Sequence, residues 1–580
     1  HAPRPAPRAF YAAHRAMHQE PPVHSPAVRR FRDPAYRELA ADLAAVRAGI
    51  DRIDHEVVRL LAERARLVQD ATRFKADAFQ VAAPARQAAV FAGVRALAAR
   101  QPDVFDGFPD IVEATYRTLV AAFIAREQQF FEQTEAIGQP AWLVDAARAH
   151  AAYIKAHWKG AWNQGLEQDL GALAVGCIIG PSTIATDAAD RMNRALVSSV
   201  LPDGSSNEQA MQYASYSYRQ LSLAQAGLQR CSLPEPAGFD RLPKLAEFVA
   251  HATQPDGNLV QIGDTAAAPP TTGAGTPLEY VTSMGAAGTP PASTVGIYPD
   301  GGYVLGRDHW APMRGSMFYS LRFGPGTTLH GHFDHTAVTY QARGHNVLMD
   351  TGFPGYTLTT LRKASWQMAA HNELVLTGVN PTHSVASLTA SVQSDLYDAY
   401  TVADVAHLGV NRSRTVLVTR GDAPDLMVVS DVASATRSKL VTKITVGVYR
   451  QHWHLPPGWK VARNSNDRIT AVTPTEKISL VRVPVVGTPS RRTTALGASF
   501  QATGVGTYRA NVDAQFLSTG WSTRMLTVVV PSALADTVTV VRTLASDGTT
   551  PVLQITVGER TVWVPLDATF RPVSAALTAP

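Results

Sequence analysis

The stretch His330-Gly-His332-Phe-Asp334-His335 places three histidines and one aspartate within six positions of the chain. The region around it, from residue 301 onward, is rich in Val and Thr and alternates between apolar and polar residues, which predicts antiparallel β-strands. Residues two apart on a strand project from the same face, so we expect His330, His332 and Asp334 on one face. Two imidazoles and a carboxylate there suit proton transfer or zinc binding. The alternative is a solvated polar face without a chemical role.

Outward from this stretch, the composition changes along the 580 residues, a length that predicts roughly two to four domains. Residues 1–35 are rich in Pro, Arg and His, which predicts an extended arm. Helical periodicity over 36–135 and again over 141–255 predicts two helical domains. Residues 256–300 are rich in Gly, Pro, Thr and Ala and are expected to form a linker and loops. With a β domain over 301–580, the sequence predicts an α+β multidomain fold in which helices precede strands.

The overall composition narrows the class of protein. Hydrophobic residues make up 45% of the chain and the mean hydropathy is −0.07, values typical of a globular protein. No apolar run approaches the roughly 20 residues of a membrane span, so none is predicted. The net charge of +5 favours an acidic partner, whereas the lack of Lys/Arg clusters with interleaved aromatic residues argues against nucleic acid. Cys177 and Cys231 predict no disulfide framework.

A second group of polar residues lies upstream, in the helical part of the chain. Asn163-Gln-Gly-Leu-Glu167 opens a helical run, and a glycine-containing turn precedes Glu208-Gln-Ala-Met-Gln-Tyr213-Ala-Ser-Tyr216. The two tyrosines are three residues apart and would lie on the same side of a helix. Taken alone, they are more typical of an aromatic stripe that packs into a core.

The two groups together resemble the heparinase II/III-like polysaccharide lyases over residues 141–580. The β domain of that family carries an H-x-H-F-D stretch, a strand that ends in aspartate and an A-H-N motif in this order, matched here at His330, Asp350 and His371. Its helical domain carries N-(H/Q)-x-x-x-(E/Q) and E-Q-S-x-x-Y-H-x-Y. This chain departs from the last motif, because Ala214 follows the tyrosine where histidine is usual.

The resemblance implies β-elimination on a uronic-acid-containing polysaccharide, such as a glycosaminoglycan or alginate. An amide neutralises the substrate carboxylate so that the weakly acidic C5 proton can leave, and tyrosine and histidine act as base and acid. Hydrolysis would instead need two carboxylates flanking the bond. The implied catalytic residues are Asn163, Gln164, Tyr213, Tyr216 and His330, with Tyr213 favoured over Tyr216, and the expected substrate-binding residues are Glu167 and Glu208.

The resemblance also implies one structural zinc ion, bound by His332, Asp350 and His371. Two histidines, one aspartate and a water form an ordinary zinc site. We expect the ion to pin the strand that carries His330, so that this ring is aimed at the substrate. The helical part over 141–255 is expected to be a partial α/α toroid, since only the second half of the family's toroid is recognisable.

The N-terminal helical domain contains a separate motif, in which an amphipathic helix begins at Arg47-Ala-Gly-Ile-Asp and continues through Arg64 to Phe-Lys75. Over residues 36–135 the chain resembles the all-helical chorismate mutase family, and within it the isochorismate-pyruvate lyase branch. The resemblance implies a three-helix unit whose site contains Arg47, Arg64, Lys75 and Glu127, and a homodimer that completes this site. Arginines there would bind the substrate carboxylates and the lysine its ether oxygen. A charged, solvated helix face is the alternative.

Three functions therefore stay open. The first is a polysaccharide lyase on residues 141–580, which accounts for most of the chain and has an acidic polysaccharide as substrate. The second is chorismate mutase or isochorismate-pyruvate lyase activity from residues 36–135. The third is a carbohydrate-binding protein without turnover. We expect a secreted or periplasmic protein whose leader is absent from this chain, with a cytoplasmic location left open.

Overall fold

The computed structural model describes residues 29–33, 36–102, 104–134, 141–407, 409–435, 447–485 and 492–580. Most of the arm expected over 1–35 therefore lies outside the described residues. The chain divides into two units, residues 1–141 and 142–580.

The first unit consists of helices whose ends are set by polar caps and proline. The Asp42 side chain accepts a hydrogen bond of 2.8 Å from the backbone N–H of Ala45 and begins the first helix. Asp77 caps the second helix in the same way, and Pro84 begins the third, where a missing N–H costs nothing. The helices are α1 (Leu43–Ala71), α2 (Ala78–Ala82), α3 (Pro84–Ala98) and α4 (Phe108–Glu132).

Helices also form the first part of the second unit, around one hydrophobic core. Leu173, Met192 and Leu221, on three of these helices, are each at most 2% exposed, and burying side chains of this size contributes roughly 1.5–3 kcal/mol each. Across the described ranges, no helix combines the length and apolar character that a membrane crossing requires. The helices are α5 (Ala141–Ala156), α6 (Asn163–Ile178), α7 (Ser182–Ser199), α8 (Met211–Arg230), α9 (Leu242–His251) and the short α10 (Pro277–Thr282). One further short helix, α11 (Thr360–Ser365), comes later in the chain, among the strands.

A disulfide bond joins two of these helices. Cys177, near the end of α6, is bonded to Cys231, which follows the last residue of α8, and their Cα atoms are 5.5 Å apart. The sequence predicted no disulfide framework, and the structure corrects this to one bond. The cysteines are 54 residues apart in the chain, so only the packing of α6 against α8 brings them together.

We expect the Cys177→Ser/Cys231→Ser double variant to unfold more easily than the wild type. Its free energy of unfolding should fall by about 2–4 kcal/mol, because the bond restricts the unfolded chain. Thermal denaturation without reductant measures the difference. Reductant should lower the melting temperature of the wild type and leave that of the variant unchanged. Equal melting temperatures without reductant would contradict the prediction.

Antiparallel sheets make up the rest of the second unit, and every pairing between the described strands is antiparallel. The predicted α+β class, with helices before strands, is thus confirmed. The strands are β1 (Val295–Tyr298), β2 (Tyr303–Arg307), β3 (Phe318–Arg322), β4 (Val338–Ala342), β5 (His345–Leu348), β6 (Leu374–Leu376), β7 (Ser387–Gln393), β8 (Tyr397–His407), β9 (Val410–Thr419), β10 (Met427–Ala435), β11 (Gly447–His454), β12 (Lys460–Ser465), β13 (Arg468–Val472), β14 (Glu476–Val483), β15 (Thr493–Gly504), β16 (Thr507–Gly520), β17 (Ser522–Ala533), β18 (Val538–Leu544), β19 (Pro551–Val557) and β20 (Arg560–Pro565). The spatial orders are β1-β2-β3-β4-β5, β12-β13-β14-β17-β10-β9-β8-β7, β15-β16-β11-β6 and β18-β19-β20.

Three of the four sheets contribute to one hydrophobic core. Tyr340 on β4, Val429 on β10 and Trp453 on β11 are fully buried within it. Because side chains alternate along a strand, the neighbours of Trp453, His452 and His454, lie on the opposite face of their sheet.

The segment 256–300 differs from the expected linker and loops. It contains α10 and the whole of β1, and the side chains of Val260 and Ile262 are at most 3% exposed. Its Gly and Pro residues form turns between apolar residues that pack into the helical core, which composition alone does not reveal. The segment also carries Asp264, a residue of the site described next.

Candidate functional site

The predicted strand face at 330–335 is wrong, because these residues form a loop that precedes β4. Leu329 and Thr336, on either side, have φ of 49° and 76°, in the left-handed region, and interrupt the extended backbone. The carbonyl of His330 accepts a hydrogen bond of 2.9 Å from the N–H of Asp264 instead of pairing with a neighbouring strand. Tertiary contacts therefore override the local alternating pattern.

Asp264, which no sequence pattern indicated, is the residue on which two of the histidines converge. Its Oδ2 lies 3.0 Å from His330 Nδ1, and its Oδ1 lies 2.9 Å from His332 Nε2. The Arg362 guanidinium contacts both oxygens, and its Nη2 donates to Oδ2 at 2.7 Å. Although burial opposes ionisation, the hydrogen bonds from both histidines and Arg362 hold the pKa of Asp264 well below its usual value.

The other two polar residues of the loop bind elsewhere. Asp334 Oδ1 lies 3.5 Å from Nε of the buried Arg322, and His335 Nε2 lies 2.6 Å from the carbonyl of Pro325. Burial lowers the pKa of His335 to about 4, so this ring is neutral at neutral pH. The expected grouping of Asp334 with the first two histidines is therefore wrong.

We expect Asp264→Asn to lower kcat by about 10–100-fold, the range typical of residues that orient a histidine. The amide preserves the shape of the side chain but removes the charge that orients both imidazoles. Steady-state kinetics on an acidic polysaccharide, the substrate that the family resemblance implies, measure the effect. Asp187→Asn, on the exposed pair with Lys155, is the matched control and should retain full activity. An unchanged kcat for Asp264→Asn would contradict the orienting role.

Tyr213 links α8 to the loop that carries His330. Its ring stacks on the His330 imidazole, with ring centroids 3.6 Å apart and an interplanar angle of 10°. Its hydroxyl contacts that of Tyr356, another residue that no motif indicated. The structure therefore brings the tyrosine and the histidine predicted to transfer protons to one place.

Tyr216, the alternative catalytic tyrosine, has a different environment. Its hydroxyl donates to Glu167 Oε1 at 2.9 Å, and burial together with this carboxylate raises the pKa of Tyr216. Glu167 also accepts a hydrogen bond of 2.8 Å from Gln220. Glu167 thus holds Tyr216, whereas Tyr213 stacks on His330, which makes Tyr216 the weaker candidate for proton transfer.

A cavity of about 340 Å³ is lined by residues of α6 and α8, including Asn163, Tyr213 and Tyr216. Asn163 is the first residue of α6, so the start of that helix places Asn163 at the cavity. Arg219 adds a cation that no motif indicated. Gln164, the other predicted amide, has an exposed side chain.

Glu208, which is expected to contact substrate, is buried and lies beside His330. It is 4% exposed, and its Oε2 lies 3.8 Å from His330 Nε2. Burial raises the pKa of Glu208. Its position supports the imidazole rather than forming part of the cavity wall.

A second group of ligand-type residues consists of His332, Asp350 and His371, all buried. One ligand atom from each lies within 4.8 Å of the others, and Asp350 Oδ2 is 2.7 Å from His371 Nδ1. Within the described part of the chain, the buried nitrogens His332 Nδ1 and His371 Nε2 have no hydrogen-bond partner. Two unsatisfied imidazole nitrogens beside a carboxylate fit a zinc ion.

His332 connects this group to Asp264. Its Nε2 faces the Asp264 carboxylate, which leaves Nδ1 for the group with Asp350 and His371. A carboxylate on the outer nitrogen fixes the tautomer and orientation of a metal-binding histidine. Asp264 therefore supports both His330 and the group formed by His332, Asp350 and His371.

Three of the four residues predicted in the first unit lie together. Lys75 Nζ is 3.9 Å from Glu127 Oε1, and the Arg64 guanidinium packs over the Phe123 ring at 4.4 Å. Among the described residues, Arg64 Nη1 and Glu127 Oε1 are buried without a hydrogen-bond partner, and burial raises the pKa of Glu127. Arg47 does not join them within one chain, because it precedes Arg64 by roughly 25 Å along the axis of α1.

Comparisons with known proteins agree with both sets of motifs. Residues 291–537 match the family model described as Heparinase II/III-like, C-terminal, and residues 46–128 match the model described as Chorismate mutase type II. Both resemblances seen in the sequence are confirmed. No curated protein matches the sequence at a significant level.

Solved structures share the architecture at low sequence identity. The heparan sulfate lyase HepC from Pedobacter heparinus has a TM-score of 0.61 and 15% identity, over 81% of this chain and 77% of that chain. The Heparinase III-BT4657 gene product has a TM-score of 0.62 and 16% identity, over 78% of this chain and 73% of that chain. At such identities the similarity establishes the fold.

Proposed function

Because the chain carries a heparinase II/III-like C-terminal domain on a heparinase III-like fold, we propose that it is a polysaccharide lyase that cleaves a uronic-acid-containing polymer by β-elimination. The observation that carries this proposal is the stack of Tyr213 on His330, at a cavity whose wall includes Asn163. An amide, a phenol and an imidazole are groups suited to elimination next to a carboxylate.

In this reaction Asn163 donates its amide N–H to the uronate carboxylate and stabilises the charge that develops there when C5 loses its proton. The electron pair of the C5–H bond forms the C4–C5 double bond, and the bond from C4 to the glycosidic oxygen breaks. Tyr213 and His330 supply the base that takes the C5 proton and the acid that protonates the departing oxygen. Asp264 engages His330 Nδ1 at 3.0 Å, whereas Glu208 Oε2 is 3.8 Å from Nε2, beyond hydrogen-bond distance, so Nε2 is the nitrogen left for proton transfer.

His332, Asp350 and His371 would hold one zinc ion, which when bound supplies rigidity rather than chemistry at the scissile bond. Through His332 and Asp264 this group orients His330.

An acidic polysaccharide suits the charge of the site. Arg219 offers the cavity a fixed cation for a second anionic group of the polymer, and the net charge of +5 attracts a polyanion. The disulfide bond between Cys177 and Cys231 supports the proposal that the protein is exported, because such bonds persist in oxidising compartments.

The test incubates the protein with heparan sulfate, chondroitin, hyaluronan and alginate and follows the ultraviolet absorbance of the unsaturated uronate product. At least one polymer should yield it, and His330→Ala should abolish it while polymer binding persists. Binding of a polymer without product by the wild type would favour the carbohydrate-binding alternative.

A second activity is supported by the charged residues of the first unit. We propose that Arg64, Lys75 and Glu127 bind a small dicarboxylate of the chorismate type, because Arg64 Nη1 and Glu127 Oε1 are buried and unsatisfied in the described structure.

We expect Lys75→Met to lower turnover of chorismate to prephenate, or of isochorismate to pyruvate and salicylate, by at least about 100-fold through loss of the cation at the ether oxygen. Lys155→Met, on the surface of α5, is the control. If the wild type turns over neither substrate, the proposal of a second activity is wrong.

A second copy of the chain would complete the site formed by Arg64, Lys75 and Glu127. Along α1 an apolar stripe recurs every three or four residues and is 42–52% exposed, at Val46, Ile50, Ile53, Val57 and Leu60. An exposed stripe of this length is typical of an interaction surface, and a second copy could bring its own Arg47 to the site. Light scattering should show a dimer that Ile53→Glu dissociates, and a monomeric wild type would contradict this assembly.

A further inference from the structure

A second buried cluster of ligand-type residues lies in the four-stranded sheet, apart from the residues assigned above. His452 and His454 on β11 and Asp513 on β16 are 4%, 1% and 5% exposed. The neighbouring side chains Trp453 and Ala514 pack into the core on the other face of the sheet. The cluster is therefore set by strand alternation and by the pairing of β11 with β16.

The strand register brings the three side chains together. His454 is directly opposite Asp513, and His452 Nδ1 reaches diagonally to Asp513 Oδ2 at 2.8 Å. One ligand atom from each residue lies within 4.8 Å of the others. Atoms that share one zinc ion at about 2.0–2.2 Å are at most about 4.4 Å apart, so small side-chain rotations are sufficient.

Unsatisfied polar atoms surround this cluster. In the described structure, Asp513 Oδ1 and both polar atoms of the Asn511 side chain are buried without a hydrogen-bond partner. Asn511 lies two residues before Asp513 on the same face of β16, and Ser499 of β15 is directly opposite Asn511. Leaving a buried carboxylate oxygen unpaired is costly, and a bound cation removes that cost.

We propose that His452, His454 and Asp513 bind a second divalent metal ion of the zinc type. The two imidazole ligands favour such an ion over calcium or magnesium, which prefer ligand sets made of oxygen, and zinc also accepts the carboxylate. His454 Nε2 lies 3.1 Å from the carbonyl of Ala369, a contact that orients the ring. Its Nδ1 lies 2.8 Å from the Ser499 hydroxyl, which can rotate away and release that nitrogen to the metal.

The position of the cluster gives the ion a structural role. The backbone N–H of His454 donates to Asn372 Oδ1 at 2.6 Å, and Asn372 follows His371 in the chain. Ala369, two residues before His371, accepts from the His454 ring. The second ion would thus fix β11 to the segment that carries His371.

The test is to load the whole protein with zinc, remove weakly bound metal by buffer exchange, and count ions per chain by native mass spectrometry. The wild type should retain two ions, and Asp513→Asn and His371→Ala should each retain one. The matched control is His309→Gln, which alters an accessible histidine–aspartate pair with Asp308 and should retain two.

The outcomes separate the two sites. If the wild type retains only one ion, and that ion is lost in His371→Ala but kept in Asp513→Asn, the second site does not exist and only the first site binds zinc. If the wild type retains one ion that is lost in Asp513→Asn and kept in His371→Ala, the second site is supported and the first is rejected. If the wild type retains no ion, both sites are rejected. If Asp513→Asn does not fold, anomalous scattering at the zinc edge from wild-type crystals decides, because the proposal requires a peak between His452, His454 and Asp513.

Discussion

Tyr213→Phe is expected to lower kcat by about 10²–10⁴-fold, the usual contribution of a general acid or base. The substitution removes one oxygen atom and keeps the ring that stacks on His330. The polymer should therefore bind with nearly unchanged KM, and the protein should melt at nearly the same temperature. Steady-state kinetics with the preferred polymer measure both parameters.

Two further tyrosine variants sharpen this prediction. Tyr153→Phe, on the exposed side of α5, is the control and should behave like the wild type. Tyr216→Phe should show the smaller loss, because the Tyr216 hydroxyl is donated to Glu167 whereas Tyr213 is the tyrosine that stacks on His330. A full loss of turnover in Tyr216→Phe together with an active Tyr213→Phe would reverse the assignment of the two tyrosines.

His371→Ala is expected to lower the free energy of unfolding by about 3–5 kcal/mol, the cost of leaving a buried charge without its partner. Asp350 is 4% exposed and its carboxylate pairs with His371 at 2.7 Å, so the variant isolates that charge and removes one of the three proposed zinc ligands. Urea denaturation measures the stability. Activity should fall with it, because His371 belongs to the group that orients His330 through His332 and Asp264.

The control for this prediction is His157→Ala, an exposed histidine on the turn after α5. Surface substitutions of this kind change stability by less than about 0.5 kcal/mol. If His371→Ala were as stable and as active as His157→Ala, neither a zinc ion nor the pair with Asp350 would support the site.

The sequence located residues that belong to motifs but not those that reach the site through tertiary contacts. His332, Asp350 and His371 were grouped because the resemblance to the lyase family implies it, and the structure places their ligand atoms within 4.8 Å of one another. Asp264 is 66 residues before His330 and lies in a Gly- and Pro-rich segment, where no pattern indicated a buried carboxylate. Tyr356 was likewise missed, because a lone tyrosine in a loop carries no signal.

The local prediction at the histidine stretch failed for a physical reason. Alternation between positions 330 and 335 predicted a strand, yet the left-handed residues Leu329 and Thr336 and the bond from Asp264 hold these residues in a loop. His330 and His332 still share a partner, because both reach the same carboxylate. Asp334 does not, since it pairs with Arg322.

Elimination by Tyr213 and His330 differs from hydrolysis in the mass of the cleavage products, which mass spectrometry measures. β-Elimination leaves one product with an unsaturated uronate end, which is lighter by one water than the product of hydrolysis. The wild type should yield this lighter oligosaccharide, and Tyr213→Phe and His330→Ala should yield none. Products that carry the added water, or unsaturated products formed equally well by both variants, would contradict it.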